Sequence, residues 1–337
     1  MTDLTIRDLL RGLSATTRLE EMKQNIVNDN FILSDIALQG QITLLFAEAG
    51  SGKTLIIMKL LINAIQESRI EAENVYYINA DDNYKGLHTK AEIAEEYGFL
   101  MINHAENNMK PSDILNMFDK LRKEDGLDGI VIVLDTLKKF ADMMSKSAQK
   151  ELMEGLRILC MDGATVIIAG HTNKHKSSEG ELVYEGTGDT LNDIDCAYSM
   201  NKMSPDNEEQ QVIEFRNVKS RGSNIEKASY QYSKTSNAEY VDLMNSVTCL
   251  SANQITKVKT QLNNSDMIEK YKDEIKFIEP HIFFKDLNQS QILEELQKSN
   301  AEDKPSRRNI TSALTDLVDI KWEATKGSNN QLIYSLI

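Results

Sequence analysis

The sequence predicts an α/β fold, a doubly wound and mainly parallel sheet, followed by a small domain of short helices and a hairpin. Three observations predict it. From Gly40 onward, apolar segments of strand length alternate with longer amphipathic stretches. Two of those segments, Ile130 to Asp135 and Ala164 to Gly170, are near-continuous aliphatic runs suited to strands buried on both faces. After about Asp266 the alternation gives way to short helices and a terminal pair of strands.

The elements follow in order. Residues 1–35 read as a helical lead-in with Leu9, Leu10 and Leu13 on one side. Strands are expected at Ile42–Ala47, Val75–Ala80, Ile130–Asp135, Thr165–Ala169 and Ala197–Met203. Helices are expected at Lys53–Ser68, Lys85–Tyr97, Pro111–Glu124 and Ala148–Asp162. Strand–helix alternation implies right-handed crossovers. Two more strands fall at Gln211–Val218 and Ala228–Tyr232, closing a domain over 36–245. The Asn/Ser-rich stretch at 246–265 reads as a linker, and 266–337 as a separate module.

Length and composition agree with that division. The chain has 337 residues, which at roughly 150 per domain gives about two domains. With 41% hydrophobic and 27% charged residues, a wholly disordered chain is excluded. No apolar run approaches the roughly 18 residues of a membrane span, and Met1–Arg11 has no signal-like apolar stretch. Cys160, Cys196 and Cys249 have neither metal spacing nor an even count, so a reducing, cytoplasmic setting is expected.

The net charge of −14 argues against a generally basic, nucleic-acid-coating protein. The charge is uneven. Residues 245–337 hold 12 Lys/Arg against 13 Asp/Glu, whereas residues 1–244 hold 26 against 39. Any nucleic-acid contact must therefore come from local basic patches.

The strongest motif is Ala47-Glu48-Ala49-Gly50-Ser51-Gly52-Lys53-Thr54, with Leu55 continuing into the helix. It follows a strand (ITLLF) and opens a helix, the context of a phosphate-binding P-loop. Its glycines let successive backbone N–H groups turn inward on phosphate oxygens, and the helix N-terminus adds its positive end. Lys53 is expected to reach the β- and γ-phosphates of ATP, and the Thr54 hydroxyl to ligate Mg²⁺. Ala47 stands where the simple motif has Gly.

The second motif is the acid that ends IVIVLD. Asp135 lies about 80 residues after Lys53 and closes a buried strand. A carboxylate at that sheet edge orients Mg²⁺ through water, the Walker-B arrangement. Hydrolysis also needs a group to position the attacking water. Asp81 and Asp82 follow the strand VYYINA, which places them at the same C-terminal edge. The other reading of this pair is an Asx-rich turn. Glu48 is a rival carboxylate whose side chain should point away from the phosphates.

Together these motifs resemble RecA-like ATPases, and within them the plasmid RepA-type hexameric replicative helicases, over roughly residues 35–235. The resemblance implies that Asp81, in YINADDNYKGLHTKAEIAEEYG, takes the catalytic-acid position. It is an Asp where the family usually has Glu. It implies that His171, at the end of the strand ATVIIAG, is a polar sensor of the γ-phosphate. It implies that the following loop, Asn173–Asp189, with Lys174, His175 and Lys176, grips single-stranded DNA in a ring channel. Glu179, Glu181 and Glu185 in that loop also fit a plain surface loop. Finally, FRNVKSRG resembles the family's Lys-x-Arg strand. That likeness makes Arg221, with Lys219 as its partner, a cation reaching a neighbouring subunit's nucleotide; Arg216 is the weaker choice.

The last module orders helix Gln289–Ser299, helix Arg307–Val318 with Ser306 as N-cap, strand Asp319–Ala324, a turn, and strand Gln331–Leu336. Two helices and a two-stranded wing is the order of a winged helix-turn-helix. Arg307 and Arg308 open its recognition helix, and Lys321 and Lys326 sit on the wing, positions suited to DNA phosphates. Protein docking and structural capping remain alternative uses. Trp322 reads as wing packing rather than a stacking platform.

The expected function is therefore an ATP-hydrolysing, ring-forming motor acting on DNA, a homo-hexameric replicative helicase of a plasmid, phage or similar element. A nucleotide-switched DNA-binding or regulatory ATPase that does not separate strands is the alternative. A recombination mediator ranks lower, because no N-terminal DNA-binding domain is evident.

Overall fold

The computed structural model describes residues 30–103, 109–141, 145–173, 182–186, 188–203, 209–235, 238–299 and 304–337, with isolated positions before residue 30. The chain divides into two compact units: Met1–Lys202 with Asp206–Leu250, and Met203–Pro205 with Ser251–Ile337.

The larger unit opens with a hairpin, β1 (Phe31–Leu33) and β2 (Ala37–Leu38). The helix expected through residue 35 is replaced from Phe31 by this hairpin. Strand wins because Ile32, Leu33, Ile36 and Ala37 are all buried, and Ser34 turns the chain at φ 46°. The strands that follow are β3 (Ile42–Ala47), β4 (Val75–Asn79), β5 (Leu100–Ile102), β6 (Val131–Asp135), β7 (Thr165–His171), β8 (Cys196–Lys202), β9 (Gln210–Ser220), β10 (Lys227–Ser233) and β11 (Thr248–Cys249). They form one sheet in the order β11-β10-β9-β8-β3-β7-β6-β4-β5. The six strands from β8 to β5 run parallel, and β9, β10 and β11 extend the sheet antiparallel.

Helices cover both faces: α1 (Lys53–Gln66), α2 (Tyr84–Tyr97), α3 (Pro111–Glu124) and α4 (Lys146–Met161), then the short α5 (Gly188–Asp193) and α6 (Tyr240–Asn245). The pleat of β3 shows how the layers share the sheet. Leu45 and Ala47 join one core with Leu55, Ile57 and Leu61 of α1. Ile42, Leu44 and Phe46 join the opposite core with Ile114 and Phe118 of α3 and Leu152 and Leu156 of α4. The chain leaves β3 across β7 and β6 to reach β4, while β8 pairs on β3's other side. The strand order thus reverses at β3, and a crevice opens outside its carboxyl end.

In the second unit the stretch expected to be a linker is α7 (Ala252–Lys270). Ser251 accepts the Gln254 N–H and the Gln254 side chain returns to the Ser251 backbone, a capping box that starts the helix despite its polar composition. Then come α8 (Lys272–Phe283), β12 (Leu287–Asn288), α9 (Gln289–Lys298), α10 (Arg307–Asp316), β13 (Trp322–Lys326) and β14 (Leu332–Leu336). The sheet order is β12-β14-β13. Trp322 is fully buried among Ile278, Ile310, Leu314 and Tyr334, and its indole N–H donates to the Leu314 carbonyl at 3.0 Å. Trp322→Ala should destabilise this unit by about 3–5 kcal/mol, and Trp322→Phe by less: both lose the N–H donated to Leu314, but Ala also leaves a large cavity. Calorimetry on the full chain reads the difference; equal, small shifts for both variants would show that the ring does not anchor this core.

Candidate functional site

The loop from Glu48 to Gly52 crosses the carboxyl end of β3 and enters α1. Gly50 (φ 70°) and Gly52 (φ 82°) both adopt the left-handed conformation that L side chains avoid. A Cβ on Gly52 would meet the Tyr232 ring at 2.6 Å, so β10 supports the loop from behind. A Cβ on Gly50 would meet nothing within 4 Å, so that side is open. The Ser51 hydroxyl is buried and has no hydrogen-bond partner. An orphaned donor and two left-handed glycines at the N-terminus of a 14-residue helix form a cradle suited to phosphate.

Lys53 is buried, and its Nζ donates to the Gly170 carbonyl of β7 at 2.8 Å. Burial lowers its pKa from the ordinary lysine value, and the neighbouring Asp135 and Asp81 oppose that shift. Thr54 Oγ1 donates to Asp135 Oδ2 at 2.7 Å. The Tyr77 hydroxyl donates to the same oxygen at 2.6 Å. Tyr77 is fully buried, and burial first, then Asp135, pushes its pKa well above the tyrosine range. The hydroxyl therefore stays protonated and acts as a donor.

Pairing registers bring the remaining groups to this edge. Ala47 pairs with His171 on β7, and Asn79 at the end of β4 pairs with Asp135. Asp81, two residues beyond, lies 3.8 Å from His171 Nε2, 3.6 Å from Lys139 and 3.9 Å from Lys138. Burial, then Lys53 and Lys138, lower the His171 pKa, so its ring is neutral at pH 7. Asp82 has other partners at this edge: it pairs with Lys90 of α2 and accepts from the Asn79 amide at 2.5 Å. One crevice is thus lined by Glu48–Leu55, Asn79, Asp81, Asp82, Asp135, His171, Lys90 and Tyr240, with a volume of about 330 Å³. Glu48 is exposed on its rim.

This donor set fits a divalent ion bound with a nucleotide. Mg²⁺ uses one or two protein oxygens and takes the rest from phosphate and water. Among the described residues no group of three or more His, Cys, Asp or Glu could hold a metal unaided. Thr54 and Asp135 would be its contacts from this chain.

Lys219 and Arg221 lie away from the crevice. Lys219 pairs with Ala197, which pairs with Leu44, three residues before Ala47 at the end of β3. Lys219 Nζ donates to the Leu191 and Asn192 carbonyls at 2.6 Å. Arg221 donates to the Asn192 carbonyl at 2.9 Å and reaches Asp195 at 3.4 Å. Lys174, His175 and Lys176 lie outside the described residues. Beyond them, Tyr184 is bridged to Thr172 and packs edge-on against Phe46. Arg307 and Arg308 are exposed at the start of α10, capped by Ser306, which accepts from Asn309 N at 3.1 Å. Lys321 is engaged by Glu279 at 2.8 Å, while Lys326 is exposed on β13.

Besides Asn79, which closes β4, three site residues were not singled out from sequence. Tyr77 reads as one more apolar strand position, Lys90 as a surface lysine of an amphipathic helix, and Tyr240 falls after the last strand assigned. Only an unusual tyrosine two residues before a sheet edge hints at the first.

No protein-family model and no curated protein matches the chain. Among solved structures, the ATPase domain of G40P aligns with a TM-score of 0.48 at 10% identity, covering 70% of this chain and 98% of that one. The fold stands on its own topology: a doubly wound, mainly parallel α/β unit with the glycine loop at the strand-order reversal. No helix among the described residues is long and apolar enough to cross a membrane.

Proposed function

We propose that this chain is an ATP-hydrolysing motor that acts on DNA as a ring-forming helicase of the RepA type. The observation that supports it most is the gathering of Lys53, Thr54, Asp135, Asp81 and His171 around one phosphate-sized cradle at the sheet edge. In this reading the amides from Glu48 to Leu55 hold the triphosphate, and Lys53 leaves the Gly170 carbonyl to meet the β- and γ-oxygens. Mg²⁺, when bound, offsets charge developing on the phosphates. Thr54 and Asp135 hold it, Asp81 orients the attacking water, and neutral His171 senses the γ-phosphate from the adjacent strand.

Lys219 and Arg221, at the end of β9, serve the neighbouring subunit of a hexamer. Lys174 and Lys176 line a channel for single-stranded DNA. The terminal unit acts as a winged helix, its order of helix, short strand, two helices and hairpin supporting that reading. Arg307 and Arg308 then meet duplex phosphates. The chain works in the cytoplasm.

A slower, switch-like ATPase is the second reading, and one observation favours it. Asp81 reaches one methylene less far than Glu, and Lys138 and Lys139 hold it within 3.9 Å. ATP turnover with and without single-stranded DNA, measured beside a native mass, separates the two. The motor reading expects DNA to raise turnover several-fold and a mass of six chains. A monomer whose turnover ignores DNA removes it.

A further inference from the structure

We infer that Tyr77 is a positioning residue for Asp135, fixing which carboxylate oxygen is presented to a divalent ion. The inference rests on the nucleotide-site reading and deepens it. Tyr77 lies on β4, in register with Val133 of β6, and its ring is wholly buried in the core beneath α1. A phenylalanine would fill that space equally well. The hydroxyl is the part that core packing does not explain, and a buried hydroxyl needs a partner. It has one, 2.6 Å away on Asp135 Oδ2.

The choice of oxygen gives the contact its meaning. Thr54 Oγ1 donates to Oδ2 as well, at 2.7 Å, from the opposite element. Two donors from β4 and α1 converge on one oxygen of a carboxylate on β6, and rotating the group would break both bonds. Oδ1 takes neither bond and would be the oxygen left to face the ion. If Thr54 turns its oxygen to the ion, Tyr77 still holds the carboxylate in place. Outer partners of this kind tune metal sites through the ligands that they orient.

The test is Tyr77→Phe in the full chain, titrated with Mg²⁺ while a fluorescent ADP reports binding. The expected result is an apparent Mg²⁺ affinity weakened by about tenfold. ADP binding without metal should stay unchanged, and the Tm without nucleotide should stay within a few degrees. Asp135→Asn should shift the Mg²⁺ dependence at least as far, and Tyr77→Phe should add nothing to it. The inference is overturned by a wild-type Mg²⁺ dependence in Tyr77→Phe, by additive effects in the double variant, or by a Tyr77→Phe chain that does not fold. It is also overturned if metal-free ADP binding falls equally, since that marks a structural role. If Asp135→Asn leaves the Mg²⁺ dependence intact and Lys53→Ala leaves ADP binding intact, the nucleotide-site reading fails with it.

Discussion

Lys53→Ala should lower ATP turnover by about 10²–10³-fold, the loss seen when one preorganised donor to developing charge is removed. It should do so without unfolding the protein. Lys53 is buried with a backbone carbonyl as its hydrogen-bond partner, and burial depresses its pKa. The folded chain therefore holds that proton less firmly than the unfolded chain does. Such a group contributes stability that is fully present above its unfolded pKa of about 10.4. That contribution is lost as pH falls through the lower folded value, so wherever the group stays charged its burial is a cost. Removing the ammonium relieves the cost, so the Tm without nucleotide should hold or rise. The rise in Tm that saturating nucleotide gives, worth about 2.7 kcal/mol at 100 times Kd, should shrink. Turnover and paired melting curves check this. Wild-type turnover in the variant would remove the phosphate role of the loop.

That loop was also the most legible part of the sequence, for a physical reason. A phosphate cradle needs a strand, glycines at left-handed positions and a helix start in unbroken succession, so one short window holds the signal. β3 runs from Ile42 to Ala47 as expected, and α1 begins at Lys53. β6 and β7 were legible because strands buried on both faces read as aliphatic runs. Features built from contacts distant in sequence were not. β5 is three half-exposed or exposed residues at the sheet edge, too short for a period to show. The β1–β2 hairpin spaces Ile32, Leu33, Ile36 and Ala37 as a helix would, and burial against α1 decides otherwise. α7 has no fully buried side chain, and only Met267 and Ile268 near its end pack on the core, so it lacks the apolar stripe that identifies a helix and shows mainly in its cap.

The site divides along the same line. Lys53, Thr54 and Asp135 announce themselves by local context. The Tyr77 hydroxyl on Asp135 joins residues 58 apart, and a strand tyrosine looks the same whether or not its oxygen has work to do. Lys90 is comparable. Its helical position resembles a solvated face, yet it is buried against Asp82, with its ammonium 5.5 Å from the centre of the Tyr240 ring.

Arg221→Ala should reduce turnover by roughly 10³-fold while leaving nucleotide affinity unchanged, if it acts on a neighbouring subunit as an arginine finger does. The sheet register makes a role on its own nucleotide untenable. Lys219 is level with Leu44, so at about 3.3 Å per residue it stands about 10 Å short of Ala47, and Arg221 follows two residues further back. Within its own chain Arg221 is held by the Asn192 carbonyl and Asp195, and Lys219 by Leu191 and Asn192. These contacts keep both cations at the far edge of the sheet, where a head-to-tail ring can present them to the next phosphate loop. Mixing decides the matter. Arg221→Ala chains keep Lys53, and Lys53→Ala chains keep Arg221, so a mixed ring contains interfaces with both residues intact. Turnover should reappear on mixing two inactive parents. A mixture as inactive as its parents, or an Arg221→Ala chain with full turnover, would place the stimulating cation elsewhere and leave Lys219 and Arg221 as struts that pin the end of α5.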